Sequence, residues 1–424
     1  MEEQRVDGTV VPRFRVLFLA MSFGSDNVRD NVTYPFLLRE IRELANRDVE
    51  VFFIRTDGAQ TTHGGLVHYI SIDDLLEKSR VRRRVSTLRF IMKNLASLFE
   101  ALTVSPKRTY HMCEFERVCE RAISLFSIEI IHTHFGFPGG GNAFLCAKGS
   151  RVPVVSTLRG SEILNRPDLD YGAMRSRHFR RLFSRTILTC RRITVPNRNM
   201  MEYLVTELGV NKARVQYLPN GVNVGSFKTV PPTPKKIVNC IAIGHFIKLK
   251  NFGFLLTAMA PLLRQNKLSL RLVGKGPLKE ELLAQIKNGE YGSVELLPEM
   301  PSVEVYKLIS ASDCLIHPSL SEGMPNVVLE SLALGRPCLV SDIPAHREII
   351  EQDVNGFFFN PFNSASLTQI LERIAENPSS LRNMYTTCTE TANRFTVSRK
   401  IQGYLDIYSD ISNCRANYRR KPGA

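Results

Sequence analysis

Short runs of β-branched and aromatic residues alternate with amphipathic stretches along most of the chain, and the alternation restarts midway. Residues 14–20 (FRVLFLA), 49–54 (VEVFFI), 128–132 (IEIIH), 153–157 (PVVST) and 192–195 (RITV) read as buried strands. Between the first two, residues 34–46 carry apolar positions at helical spacing. Strand, helix and a further apolar strand make a βαβ unit, which requires a parallel sheet covered on both faces. Turn residues at 218–223 (LPNGVN) and prolines at 230–236 (VPPTPKK) interrupt the pattern. Strands are expected again at 237–244, 268–274, 293–298, 313–318, 336–342 and 355–359, with helices over 251–265 and 278–289. The fold class is α/β, with two Rossmann-like doubly wound parallel-sheet domains and a ligand cleft between them. The expected boundaries are an N-terminal extension over 1–13, one domain over 14–220 and a second over 221–395. Residues 396–424 are expected to form a helix packing back on the first domain, with a basic tail. A chain of 424 residues exceeds one ordinary core, in keeping with two.

Composition narrows the class. Hydrophobic residues at 43% and charged residues at 23% are globular values, and no apolar run approaches the ~20 residues of a membrane span. The first residues, MEEQRVDG, carry acids where a leader sequence needs bases, so a cytoplasmic protein is expected. Nine cysteines without a Cys-x-x-Cys pair read as reduced thiols. The net charge of +15 is concentrated early: residues 1–220 hold 33 Lys and Arg against 23 Asp and Glu. Residues 78–93 and 174–192 each carry seven bases and no acid. In the first block Val81, Val85, Leu88, Ile91 and Met92 fall near one helical face among arginines, the pattern of a basic helix lying on anionic lipid. In the second, Phe179, Leu182, Phe183 and Ile187 have similar spacing and are expected to pack inward. Charge alone would also suit nucleic acid, but no zinc finger or stacking motif with interleaved aromatics accompanies it, so no nucleic-acid partner is expected. His132 and His134 share one face of a strand; with no third ligand at useful spacing, they read as strand-end packing and no metal is expected.

Chemistry concentrates in SEGMPNVVLESLALGRP, residues 321–337. Proline is favoured at the first helical position, so Pro325 is expected to start a helix carrying Glu330 within an apolar run. A helix start offers N–H groups and a positive dipole end to phosphate. A carboxylate about one turn inside can accept hydrogen bonds from a pair of vicinal hydroxyls. Glu322, in the loop before the helix, can do the same for a sugar ring.

The stretch HPSLSEGMPNVVLESLALGRPCLVSDIPAHREII resembles the Glu-x7-Glu donor site of retaining family-4 glycosyltransferases of GT-B fold. Other segments match in order: IIHTHFG (130–136), STLRGSEI (156–163), YLPNGVN (217–223), GHFIKLKNFGFLL (244–256), LRLVGKGPLKEEL (270–282) and NGFFFNPFNSASL (355–367). The resemblance covers most of residues 14–410 and is most specific in the second half. It implies transfer of a sugar from a UDP- or GDP-linked donor, with retention and without a metal or other cofactor. Glu322 would hold the transferred sugar and Lys250 the diphosphate, as the catalytic pair. His245, Gly323, Met324, Pro325, Asn326 and Glu330 would complete the donor site, Glu330 on the ribose. Arg159 and His134 would lie on the cleft or acceptor side. His245 stands where many members carry arginine, and Arg159 where many carry histidine. The loop MSFGSDNVRDN (21–31) has one glycine where a richer loop is usual. The implied acceptor is lipid-linked or an oligosaccharide, in surface polysaccharide synthesis, with the protein peripheral on the inner face of the membrane. The alternative is a soluble product, a storage glucan or small glycoside.

Overall fold

Parallel strands buried on both faces need nearly continuous apolar sequence, and that is where the strands form. The structure is a computed structural model, which describes residues 5–6, 9–10, 12–20, 35–55, 60–95, 98, 106–135, 144–223 and 237–419. Loop 21–31, the proline-rich link 230–236 and the tail past 419 lie outside the described residues. The chain divides into two units. The first takes Met1–Asn165, Gly172–Leu218 and Ile401–Ala424, and the second Arg166–Tyr171 and Pro219–Lys400.

The eight-stranded sheet of the first unit comprises β1 (Phe14–Leu19), β2 (Val49–Arg55), β3 (Thr62–Gly64), β4 (Val67–Ser71), β5 (Ile130–His134), β6 (Val154–Thr157), β7 (Arg192–Val195) and β8 (Val215–Tyr217). They lie in the order β8-β7-β6-β5-β1-β2-β4-β3, and every neighbouring pair is parallel except β3 with β4. The sheet's interior holds Leu17, Ile131 and Ile193, covered by Phe115 and Cys119 from the helix Pro106–Leu125. β5 begins two residues later than expected, because Ile128 still closes the preceding helix through its bond to Ile123 O. The helix Arg177–Ile187, capped by the Ser176 hydroxyl, buries Phe183 and Ile187 completely. The last helix, Val397–Arg419, buries Ile401, Tyr404, Leu405 and Tyr408, and the edge of Tyr408 meets Phe14 at 5.7 Å.

The basic block folds as the helix Arg80–Lys93, with the Ser79 hydroxyl accepting from Arg82 N. Thr87, Phe90 and Ile91 turn inward, so Ile91 does not belong to the outward apolar face that the sequence implied. Among the described residues, no helix is long and apolar enough to cross a membrane.

The second unit contains β9 (Val238–Ile243), β10 (Leu268–Val273), β11 (Val294–Leu297), β12 (Cys314–His317), β13 (Cys338–Ser341) and β14 (Gly356–Phe359). Their order is β11-β10-β9-β12-β13-β14, parallel throughout. That is the doubly wound arrangement in which strand order reverses beside the first strand, here between β9 and β12. The helix Phe252–Arg264 packs Leu255, Leu256, Met259 and Leu263 against this sheet, despite a proline at 261.

Candidate active site

In an open parallel sheet, connections on either side of the reversal leave in opposite directions and open a crevice at the carboxyl ends of the strands. In the second unit, the segments leaving β9 and β12 there carry the residues that the sequence singled out. The backbone joins them, Leu320 N donating to Leu249 O at 2.9 Å. Lys248–Lys250 is a single tight turn, ended by Asn251 in the left-handed conformation at φ 55°. Gly274, just past β10, has φ +157°, and a Cβ there would lie 2.0 Å from Gly244 O. Glycine is required for that approach. Further bonds, Phe246 N to Lys275 O at 2.8 Å and Leu278 N to Phe246 O at 3.0 Å, fix the segment holding His245.

Lys250 Nζ donates to Glu322 Oε1 at 2.5 Å, and His317 Nε2 bonds the same oxygen at 3.0 Å. The three side chains are 17%, 13% and 1% exposed. Burial alone would raise the Glu322 pKa, but the Lys250 ammonium and the His317 bond outweigh it and hold the carboxyl well below the usual carboxylate range. Burial pushes the His317 pKa down, with Lys250 acting in the same direction, so its ring is neutral and donates Nε2–H to Glu322. Next to it His346, also buried, is pushed down to about 3 by burial and by His317, and bonds Ser341 O through Nδ1 at 2.7 Å.

The helix after the loop spans Asn326–Ala333. Pro325 is its N-cap, in extended conformation, rather than its first residue as expected, and no side chain caps the helix start. Gly323, Met324 and Pro325 are buried and Asn326 is half-buried. Asn220 Nδ2 donates to Met324 O at 3.0 Å, and Lys400 Nζ donates to Asn220 Oδ1 at 2.9 Å, anchoring the loop from behind. Glu330, half-buried, accepts from Tyr306 OH at 2.8 Å. It lines a pocket of about 210 Å³ together with Gly244, His245, Lys275 and Tyr306. A Cβ at Gly244 would lie 3.5 Å from Lys250 Cε, so the lysine stem runs along the pocket's glycine wall. The structure thus brings Glu322 and Lys250 into one ionic cluster, and Glu330 and His245 into the adjoining pocket.

His134 and Arg159 lie in the first unit, at the carboxyl ends of β5 and β6. Arg159 Nη2 reaches both Glu40 oxygens at 2.9 Å and His134 Nδ1 at 3.0 Å, and its guanidinium lies 4.6 Å over Phe36. Its side chain is only 8% exposed, at the core of a buried ion pair. His134 stacks on His132 at 4.6 Å, and His132 spans Tyr408 OH at 2.5 Å and Thr157 Oγ1 at 2.8 Å. Among the described residues, no cluster of three or more His, Cys, Asp or Glu could hold a metal.

Three partners had no separate signal in the sequence. His317 precedes Glu322 by five residues, Tyr306 reaches Glu330 from a neighbouring helix, and Glu40 meets Arg159 across 119 residues. Only His317, inside the quoted motif, was within reach of sequence reasoning.

The family profile of Glycosyl transferases group 1 matches residues 226–392, and that of Glycosyltransferase Family 4 matches residues 36–226. The chain is 26% identical over 225 residues to the putative teichuronic acid biosynthesis glycosyltransferase TuaC of Bacillus subtilis, covering 51% of this chain and 53% of that protein. It thus spans about half the length of that relative. It is 24% identical over 224 residues to an Escherichia coli UDP-Gal:alpha-D-GlcNAc-diphosphoundecaprenol alpha-1,3-galactosyltransferase, covering 50% of this chain and 58% of the other. The Anabaena protein HepE, solved in complex with UDP-glucose, superposes with a TM-score of 0.67 at 15% identity, covering 94% of this chain and 100% of that one. The protein belongs to the group 1, family 4 glycosyltransferases and has the GT-B fold.

Proposed function

We propose that the second unit binds a nucleotide sugar and that the protein transfers its sugar, with retention, to a lipid-linked or oligosaccharide acceptor in surface polysaccharide synthesis. The observation that carries this reading is the Lys250–Glu322–His317 cluster beside the uncapped start of Asn326–Ala333. An ionised carboxylate that accepts from both a lysine and a histidine is preorganised to accept sugar hydroxyls as well. Lys250 supplies positive charge where a nucleoside diphosphate departs, which lowers the barrier without a metal. Amides at the helix start receive the phosphates, and Glu330 receives the ribose hydroxyls in the pocket beside His245. Retention is proposed through attack on the face the diphosphate leaves, the phosphate itself taking the acceptor proton. The UDP-glucose bound to HepE and the undecaprenol-linked acceptor named for the E. coli relative support the donor and acceptor classes.

The test is nucleoside diphosphate release from a panel of UDP- and GDP-sugars with membrane-extracted acceptor, in EDTA. Turnover in EDTA is expected for the parent. Glu322→Gln is expected to lower kcat by about 100-fold or more, because its interaction strengthens as charge develops. Normal turnover in the variant, or activity that appears only with manganese or magnesium, would overturn the assignment.

A further inference from the structure

Eleven large apolar side chains are exposed among the described residues, and five of them cluster on or beside one helix. Val81, Val85, Leu88 and Met92 lie along Arg80–Lys93, with Leu95 just past its end, each between 41 and 70% exposed. The spacing of four, three and four residues puts Val81, Val85, Leu88 and Met92 on one face of the helix. The opposite face is occupied: Thr87, Phe90 and Ile91 are buried, Phe90 and Ile91 in a cluster with Cys113 from the helix Pro106–Leu125. Lys78, Arg80, Arg82, Arg84, Arg89 and Lys93 flank the stripe and are all exposed. The helix carries no acid. Nearby Glu77 and Glu114 face Arg117 and Arg83 at 2.8 and 3.9 Å, and Lys93 lies in the field of Glu120, so among the described residues Lys78, Arg80, Arg82, Arg84 and Arg89 are left outside any ion pair.

Scattered apolar side chains are ordinary on a surface, but a contiguous stripe rimmed by charge marks an interface. A second copy docked by this face would bring twelve like charges together, which repel. An anionic leaflet complements both features at once: lipid tails take the stripe and headgroups take the bases. We propose that the outer face of Arg80–Lys93 is a docking surface for an anionic lipid leaflet. Its use, holding the enzyme at a lipid-linked acceptor, rests on the function proposed above; the docking itself does not. Arg83 turns toward Glu114 and contributes less than its neighbours.

The experiment is sedimentation of the full chain with vesicles of phosphatidylcholine alone or mixed with phosphatidylglycerol, with thermal shift by UDP-sugars and GDP-sugars measured in parallel. The parent is expected to pellet with the mixed vesicles only, and to be released by high salt. The triple variant Val85→Ser, Leu88→Ser, Met92→Ser is expected to bind the mixed vesicles about tenfold less while retaining the parent's melting temperature and nucleotide-sugar shift. Arg82→Gln, Arg84→Gln, Arg89→Gln is expected to lose the preference for phosphatidylglycerol. Undiminished pelleting of both variants, or no pelleting of a parent that binds nucleotide sugar, would overturn the proposal. So would a parent dimer that the serine variant dissociates, which would make the face a contact between copies. Vesicle binding by a parent that no nucleotide sugar stabilises would support the docking surface and count against the proposed function instead.

Discussion

Glu322 is half-buried, where burial alone would raise the pKa of its carboxyl, and its partners decide otherwise. Lys250 and His317 stabilise the ionised form, so the pair contributes stability above the ordinary Glu pKa of about 4.3 and loses it as pH falls through the lowered value. The buried histidines act in the same direction for a different reason. His317 and His346 stay neutral when folded, whereas the unfolded chain takes up protons below about pH 6.5. Stability is therefore expected to fall between pH 7 and pH 5, well before Glu322 titrates. His346→Gln keeps a donor for Ser341 O but removes one titrating group. Chemical denaturation at several pH values should show a shallower fall in the variant, by up to about 1 kcal/mol per pH unit. An unchanged slope would mean that His346 already carries its proton in the folded state. The two glutamates were legible in the sequence because their spacing brackets a proline at a helix start. His317 was within reach only through its place in the quoted motif, and His346 was not: a single buried imidazole has no periodicity, and its role depends on which strand ends meet.

At the scale of elements, the inner strands were legible because they are buried on both faces and must be apolar throughout, whereas the edge strand β8, with two of its three residues half-buried, was not expected. The β3–β4 hairpin was not, since THG and VHYIS are short and polar, and their pairing is decided by the edge of the sheet rather than by burial. The turn GKGP joins β10 to the helix Lys279–Asn288. The structure gives it a packing duty, because Gly274 admits the carbonyl of Gly244 where no Cβ could fit. Gly274→Ala is accordingly expected to lower the melting temperature by about 5 °C or more and to weaken nucleotide-sugar binding by displacing His245. Gly292→Ala is the control, with nothing within 4 Å of the added Cβ, and should change neither. Equal behaviour of the two variants would remove the link between this turn and the pocket.

Across the whole molecule, the main segment of the second unit runs from Pro219 to Lys400, and residues beside both of its ends support the Glu-Gly-Met-Pro loop. Lys400 holds Asn220, Asn220 holds Met324 O, and Val222 bridges to Thr396. These contacts were not legible in the sequence, where Asn220 belongs to the LPNGVN turn and Lys400 stands 180 residues away. Asn220→Ala should raise the donor KM about fivefold with little change in kcat, as expected for a residue that positions the loop without touching the reacting atoms. A loss confined to kcat would assign it a different part. The central claim, that the second unit binds a nucleotide sugar through its paired glutamates, is tested most directly by calorimetric titration of the full chain with UDP- and GDP-sugars in EDTA. The account predicts one donor bound per chain by the parent and an affinity at least about tenfold lower for Glu330→Gln, whose carboxylate is assigned to the ribose. Binding that needs an added divalent metal, or equal affinity in parent and variant, would contradict it.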